Sequence, residues 1–288
     1  MHSSNPVFSR NESFNGRSSS VQTDPSQWTI DTGAQPGYAP PTAASSDRMT
    51  IDSVVEKTAV TLGIVIAAAA VAWVVIGQIF VGENSIGQQV VDQSAVNTAY
   101  GFAIGGALVG FALAMVNSFK KVISPALVIG YAVAEGVFVG AFSKIVATFV
   151  GDTSIVFQAI VGTFVAFGAT LAAYKFFNIQ VTDKFRKVVT IAIFAFAGAT
   201  IVNLLLSLTG VVDNGGIRGF NTLGLVVSAF AVVLAVLMLV LDFDYIEKGV
   251  QAGLPRRESW RAAFGLTVTL VWLYIEILRI LAILRGDN

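Results

Sequence analysis

Seven long apolar runs constrain this chain more than any other feature. They lie at about 58–80, 97–116, 123–148, 155–177, 188–210, 220–241 and 262–284. Each approaches the roughly 20 residues a helix needs to cross about 30 Å of hydrocarbon. The runs are apolar on every face and lack strict alternation, so they read as helices rather than barrel strands. Only 12% of the 288 residues are charged, against about 25% in an ordinary soluble domain. The sequence therefore predicts an all-α, polytopic membrane protein with seven transmembrane helices.

Composition excludes several function classes. Lys+Arg and Asp+Glu balance at 18 each, which leaves no basic excess for nucleic-acid binding. There is no cysteine, and the single histidine is His2. Disulfide scaffolds, thiolate metal sites and histidine-centred catalysis are thereby removed. No Gly-x-Ser-x-Gly element stands out either, so an enzyme is not expected.

Residues 1–48 differ from the rest, with ten Ser and five of the seven Pro. Such a segment has too little apolar surface to offset its ordering entropy and reads as a disordered, solvated cytoplasmic tail. It lacks the basic start and apolar core of a signal peptide. The membrane domain then occupies residues 49–288.

Basic residues set the orientation. Fourteen Lys and Arg fall in the tail and in the second, fourth and sixth connections. Four fall on the other side: Lys144, Arg218, Arg279 and Arg285. By the positive-inside rule the N-terminus is cytoplasmic and the C-terminus lies outside. Glycine pairs four apart (Gly101 and Gly105, Gly106 and Gly110, Gly136 and Gly140) predict close helix crossings. Pro125 suits the first turn of the third span.

The residues that carry chemistry are acidic groups within apolar spans, each costly there and so a functional candidate. Glu135 stands about twelve residues into the third span. Asp242 and Asp244 close the sixth span in Leu239-Val-Leu-Asp-Phe-Asp-Tyr-Ile-Glu-Lys248, where Asp244 reads as a polar cytoplasmic end. Glu276 lies about fourteen residues into the seventh span, roughly 21 Å along a helix. Arg279, three residues on, shares its face and offers a local partner. The sixth and seventh spans are sequential and antiparallel, so Asp242 and Glu276 are expected to face each other. Two touching carboxylates cannot both ionise cheaply and would share a proton. Deprotonated, they would repel each other and attract a hard cation through oxygen ligands. The span limits set a condition. The two meet only if the sixth helix starts near Gly224 to Leu225 and sits deeper, or if a cytoplasmic cavity reaches in.

At these residues the chain resembles the transmembrane Bax inhibitor motif family, in its bacterial, Bax inhibitor-1/YccA-like branch. The likeness covers about residues 55–286. It rests on the span count and on three stretches: Tyr131–Ser143, Gln158–Phe167, and Leu241-Asp-Phe-Asp-Tyr-Ile246 taken with Leu273-Tyr-Ile-Glu-Ile277. The resemblance implies a pH-regulated calcium leak channel of a bacterial plasma membrane, with calcium and protons as partners and no cofactor. It implies a pH sensor, and a candidate calcium site, at Asp242 and Glu276. Arg285 stands near a family arginine by the C-terminus. Glu276 replaces the family's aspartate and is one methylene longer, and Glu135 stands where relatives often have a small residue. Two other readings stay open. One is a proton-coupled secondary transporter using Glu135, Asp242 and Glu276. The other is a non-transporting membrane regulator of a partner protein.

Overall fold

The computed structural model describes residues 47–83, 89–212 and 215–286. Among these, seven helices are long and apolar enough to cross a membrane. They are α1 (Ile51–Ile76), α2 (Gln93–Phe119), α3 (Pro125–Val150), α4 (Ser154–Phe176), α5 (Asp183–Leu208), α6 (Thr222–Gln251) and α7 (Glu258–Gly286). The expected all-α membrane fold is thus found. Residues 1–46 of the expected tail lie outside the described residues. Asp47 and Arg48 belong to the folded chain. Asp47 O accepts from Arg256 N at 2.7 Å, and Met49 N donates to Leu254 O at 2.7 Å.

The helices overrun the apolar runs because caps, not hydropathy, decide their ends. Thr50 accepts from Ser53 N, and Ser53 returns the bond in a capping box, so α1 begins at Ile51. Pro125 occupies the first turn of α3. At its other end α6 runs ten residues beyond its apolar run, to Gln251. One element was not expected. The first connection forms an antiparallel ladder between β1 (Phe80–Glu83) and β2 (Gln89–Val91).

The bundle is built around α7. Sixteen of its residues are buried, against two on α5. It packs against α6, α1, α4 and α3. Its parallel contact with α1 is a ladder of hydroxyls with constant register. Ser53 Oγ lies 2.6 Å from Ser259 Oγ, and Thr61 Oγ1 lies 2.8 Å from Thr267 Oγ1, both pairs 206 residues apart. With lipid as the solvent, apolar burial drives helix association weakly, and such bonds and close packing carry it instead. Outward faces remain apolar, as at Val74, Phe111 and Phe194.

Glycine sets the tightest crossings. A Cβ on Gly136 would stand 2.5 Å from Val65 O, one on Gly140 would run into the Ala69 backbone, and one on Gly106 would stand 2.7 Å from Phe138 N. Gly101 and Gly105 face open space, so that pair makes no crossing. Replacing Gly140 with Leu should therefore destabilise the bundle by about 1–3 kcal/mol through overpacking. Gly105→Ala should leave thermal unfolding in detergent unchanged; equal melting of both variants would contradict the packing described.

Candidate functional site

The ionisable side chains of the spans fall into three groups, ordered by helix geometry. Asp242 is nine residues from the end of α6, about 14 Å, whereas Glu276 is eighteen residues into α7, about 27 Å. In an antiparallel hairpin that start differs by about 13 Å, so the two cannot meet side by side. The expected Asp242–Glu276 carboxylate pair is therefore not formed. The helix begins at Thr222, where Asn221 accepts from Gly224 N at 2.8 Å, and the deeper register that pairing required is not adopted. The calcium site expected at that pair is not assembled. Among the described residues no three acidic or histidine side chains converge as ligands for a metal.

Asp242 instead meets Thr269, whose Oγ1 lies 2.7 Å from Asp242 Oδ2 and 3.1 Å from Gly265 O. The hydroxyl has one proton and faces two acceptors. With Asp242 ionised, Thr269 donates to the carboxylate and releases the Gly265 carbonyl. With Asp242 protonated, the acid donates to Thr269 and Thr269 donates to Gly265. Each state satisfies Asp242 and Thr269. A Cβ on residue 265 would stand 3.5 Å from the other carboxylate oxygen, at ordinary van der Waals contact.

Asp244, expected as a polar helix end, is 5% exposed and holds two cations. Arg186 Nη2 of α5 donates to it at 2.6 Å, and Lys248 Nζ of its own helix lies 2.8 Å away. One turn on, Tyr174 Oη donates to Glu247 at 2.6 Å. These contacts fasten α5 and α4 to one end of α6.

Glu276 is 1% exposed and is the most deeply enclosed acid among the described residues. Its partner is not the neighbouring Arg279 but Arg218, from the connection before α6. Arg218 Nη2 donates to Oε1 at 2.6 Å and Nη1 to Oε2 at 3.0 Å, a bidentate fork. Trp272 Nε1 adds a donor at 3.3 Å. Arg279 turns to the Arg218 carbonyl and to Ser228 Oγ, and its guanidinium lies 5.0 Å from the Phe220 ring centre. The Arg218 guanidinium in turn lies 5.6 Å from the Phe196 ring centre.

The connection reaches this depth because its backbone is folded inward. Gly215 and Gly216 take φ of 76° and 57°, conformations other residues resist. Asn203 of α5 clamps the turn, donating to Gly215 O at 3.0 Å and accepting from Ile217 N at 3.0 Å. Gly219 O sits so close to Gly224 that no side chain fits there. Arg218 is the functional candidate that sequence reasoning missed, having been counted as an outer loop charge. Its signal was the setting Gly215-Gly-Ile-Arg-Gly219, a lone arginine among glycines.

The remaining candidates lie apart from this site. Glu135 hydrogen-bonds Tyr131 one turn away and faces Gly110 of α2. Arg285 pairs with Asp152 and donates to Ser154 and Gln158. It fastens the ends of α4 and α7.

A family model described as Bax inhibitor 1 like matches residues 5–286. The chain belongs to that family. The resemblance seen in the span count and the α3, α4, α6 and α7 stretches therefore reflects membership across nearly the whole chain. No curated protein matches the chain in sequence. Within this Bax inhibitor 1 like bundle, Asp242, Asp244 and Glu276 of the last two helices each have their own partners.

Removing Glu276 would leave Arg218 enclosed without its anion, and breaking a buried pair costs about 3–5 kcal/mol. Glu276→Gln keeps the shape and should loosen the Gly215–Gly219 turn. Because the chain lacks cysteine, Ile217→Cys is a clean probe. A membrane-impermeant maleimide should label it several-fold faster in the Glu276→Gln background; unchanged labelling would mean Arg218 does not hold the turn.

Proposed function

We propose that this protein is a pH-sensitive cation leak, with calcium as the permeant ion implied by its family. Its closing device is the Arg218–Glu276 ion pair rather than a carboxylate pair. The observation that carries the reading is the bidentate capture of a loop arginine by an acid enclosed on the central helix. In the proposed leak, the Arg218 side chain is the plug at the α5–α6 end, where its positive charge would oppose a passing cation. The groups bonded to Glu276 are Arg218 from the connection and Trp272 from α7, while Arg279 of α7 bonds the Arg218 carbonyl and the Ser228 hydroxyl of α6. One carboxylate thus binds one guanidinium while a second, Arg279, stands one turn along the same helix.

The sign of the pH response follows from that imbalance. A proton on Glu276 cancels the charge that holds the Arg218 fork. The turn is then no longer held, and the mouth opens. Acidification therefore increases leak. Asp242 contributes separately at the other end, where Thr269 accommodates it in either protonation state. Its protonation restores the bond between Thr269 and Gly265 O and so tightens α7 at that level.

Calcium entry into proteoliposomes loaded with an indicator dye tests this directly. Wild-type leak should rise as pH falls. Glu276→Gln and Arg218→Gln should both leak at neutral pH and lose most of the acid response. Asp242→Asn should shift the pH profile while the mouth stays closed at neutral pH. Absence of flux at every pH, or wild-type profiles in both Glu276→Gln and Arg218→Gln, would overturn the reading. Solute accumulation driven by a proton gradient would instead identify a transporter.

A further inference from the structure

An apolar cavity lies away from the carboxylates. It is about 270 Å³ in volume and is bounded by α1, α3, α4 and α7. Ile66 and Ala70 form one wall, Ile160 and Phe164 the other, and Tyr274 the floor. The Tyr274 hydroxyl is already used, lying 2.7 Å from Ser143 Oγ, so the floor presents no free polar group. Ile66, Ala70 and Phe164 are exposed, which puts the opening on the outward surface of the bundle. In a membrane that surface meets lipid.

The length of the groove is informative. It extends along α1 from Leu62 to Trp73, eleven residues or about 16 Å. That is half of a hydrocarbon core about 30 Å thick, or one leaflet. It begins near the middle of α1 and ends three residues before Ile76, at interface depth. Its walls are therefore shaped for an extended apolar chain that enters from the leaflet away from the N-terminus.

The interface end carries a cation. Lys144 Nζ stands 4.5 Å from the centre of the Trp73 ring, and Lys144 is six residues from the end of α3. A lysine at this depth extends its ammonium toward the headgroups. Among the described residues no carboxylate lies within ion-pair distance of it. The other three positive charges on that side are engaged. Arg218 and Arg279 belong to the network around Glu276, and Arg285 is paired with Asp152. Lys144 is thus the cation left to meet an anion, and the groove directly beneath it is apolar.

We propose that this groove is a binding site for an anionic phospholipid, one acyl chain lying between α1 and α4 and the headgroup phosphate meeting Lys144 beside Trp73. The site does not depend on the proposed leak activity. One lysine at an anionic headgroup is worth about fivefold in affinity.

Native mass spectrometry of the full chain in detergent provides the test. Phosphatidylglycerol and phosphatidylcholine with identical acyl chains would be added in equal amounts. The wild type should retain phosphatidylglycerol about fivefold over phosphatidylcholine. Lys144→Gln should erase that preference and still hold lipid. Ala70→Trp, which fills the groove from an exposed position, should lose both lipids. Equal retention of the two lipids by the wild type would overturn the proposal, as would a preference that survives Lys144→Gln. Undiminished binding to Ala70→Trp would show that the retained lipid sits elsewhere. If Ala70→Trp does not melt like the wild type, the Lys144→Gln comparison decides alone, because that change keeps most of the stem and removes the charge.

Discussion

Everything in this bundle depends on placing a helix with polar side chains at its centre. Within a membrane, a hydroxyl, carboxylate or guanidinium that loses water must find a protein partner. The central α7 carries Ser259, Thr267, Thr269, Tyr274, Glu276 and Arg279 along its length, and each is matched by a different neighbour. Ser53 and Thr61 of α1 take two of them, Asp242 and Ser228 of α6 two more, Ser143 of α3 another, and Arg218 the acid. The surrounding helices are held in position by these matches, while glycine crossings let α1, α2 and α3 draw close.

The same constraint separates the two ends of the α6–α7 hairpin. Near the connecting loop, Asp242 has only a hydroxyl beside it and can be satisfied in either protonation state. At the far end, Glu276 is bound to a full guanidinium, whose loss would strand charge. The first is a soft contact and the second a hard one. The helix α5 contributes from outside the packed bundle. It is clamped at one end through Arg186 to Asp244 and at the other through Asn203 to the Gly215–Gly219 turn. It therefore links the two levels while burying little of its own surface.

Much of the fold was legible in the residues. Span number and the first turn at Pro125 follow from hydropathy and backbone chemistry, both local properties. Gly136 and Gly140 were legible as a crossing, but Gly101 and Gly105 have the same spacing and cross nothing. Spacing states which residues share a face; it does not state what that face meets. The site was legible in kind but not in partnership. Asp242 and Glu276 stand out because acids in apolar runs are costly, yet their pairing was misjudged. Helix register, which places them about 13 Å apart along the hairpin, is set by the Asn221 cap and the continuation of α6 to Gln251.

What the sequence determined by itself is the class of molecule. Seven runs of sufficient length, few charges and acids held within those runs admit little but a helical membrane bundle with costly carboxylates. What only the tertiary structure decided is who neutralises them. Arg218 lies fifty-eight residues from Glu276, and no periodicity connects the two. Their meeting depends on a glycine turn folding back under the clamp of Asn203 and on α7 standing at the centre. Desolvation makes a buried charge demand a partner, but only the packing of distant segments chooses which one arrives.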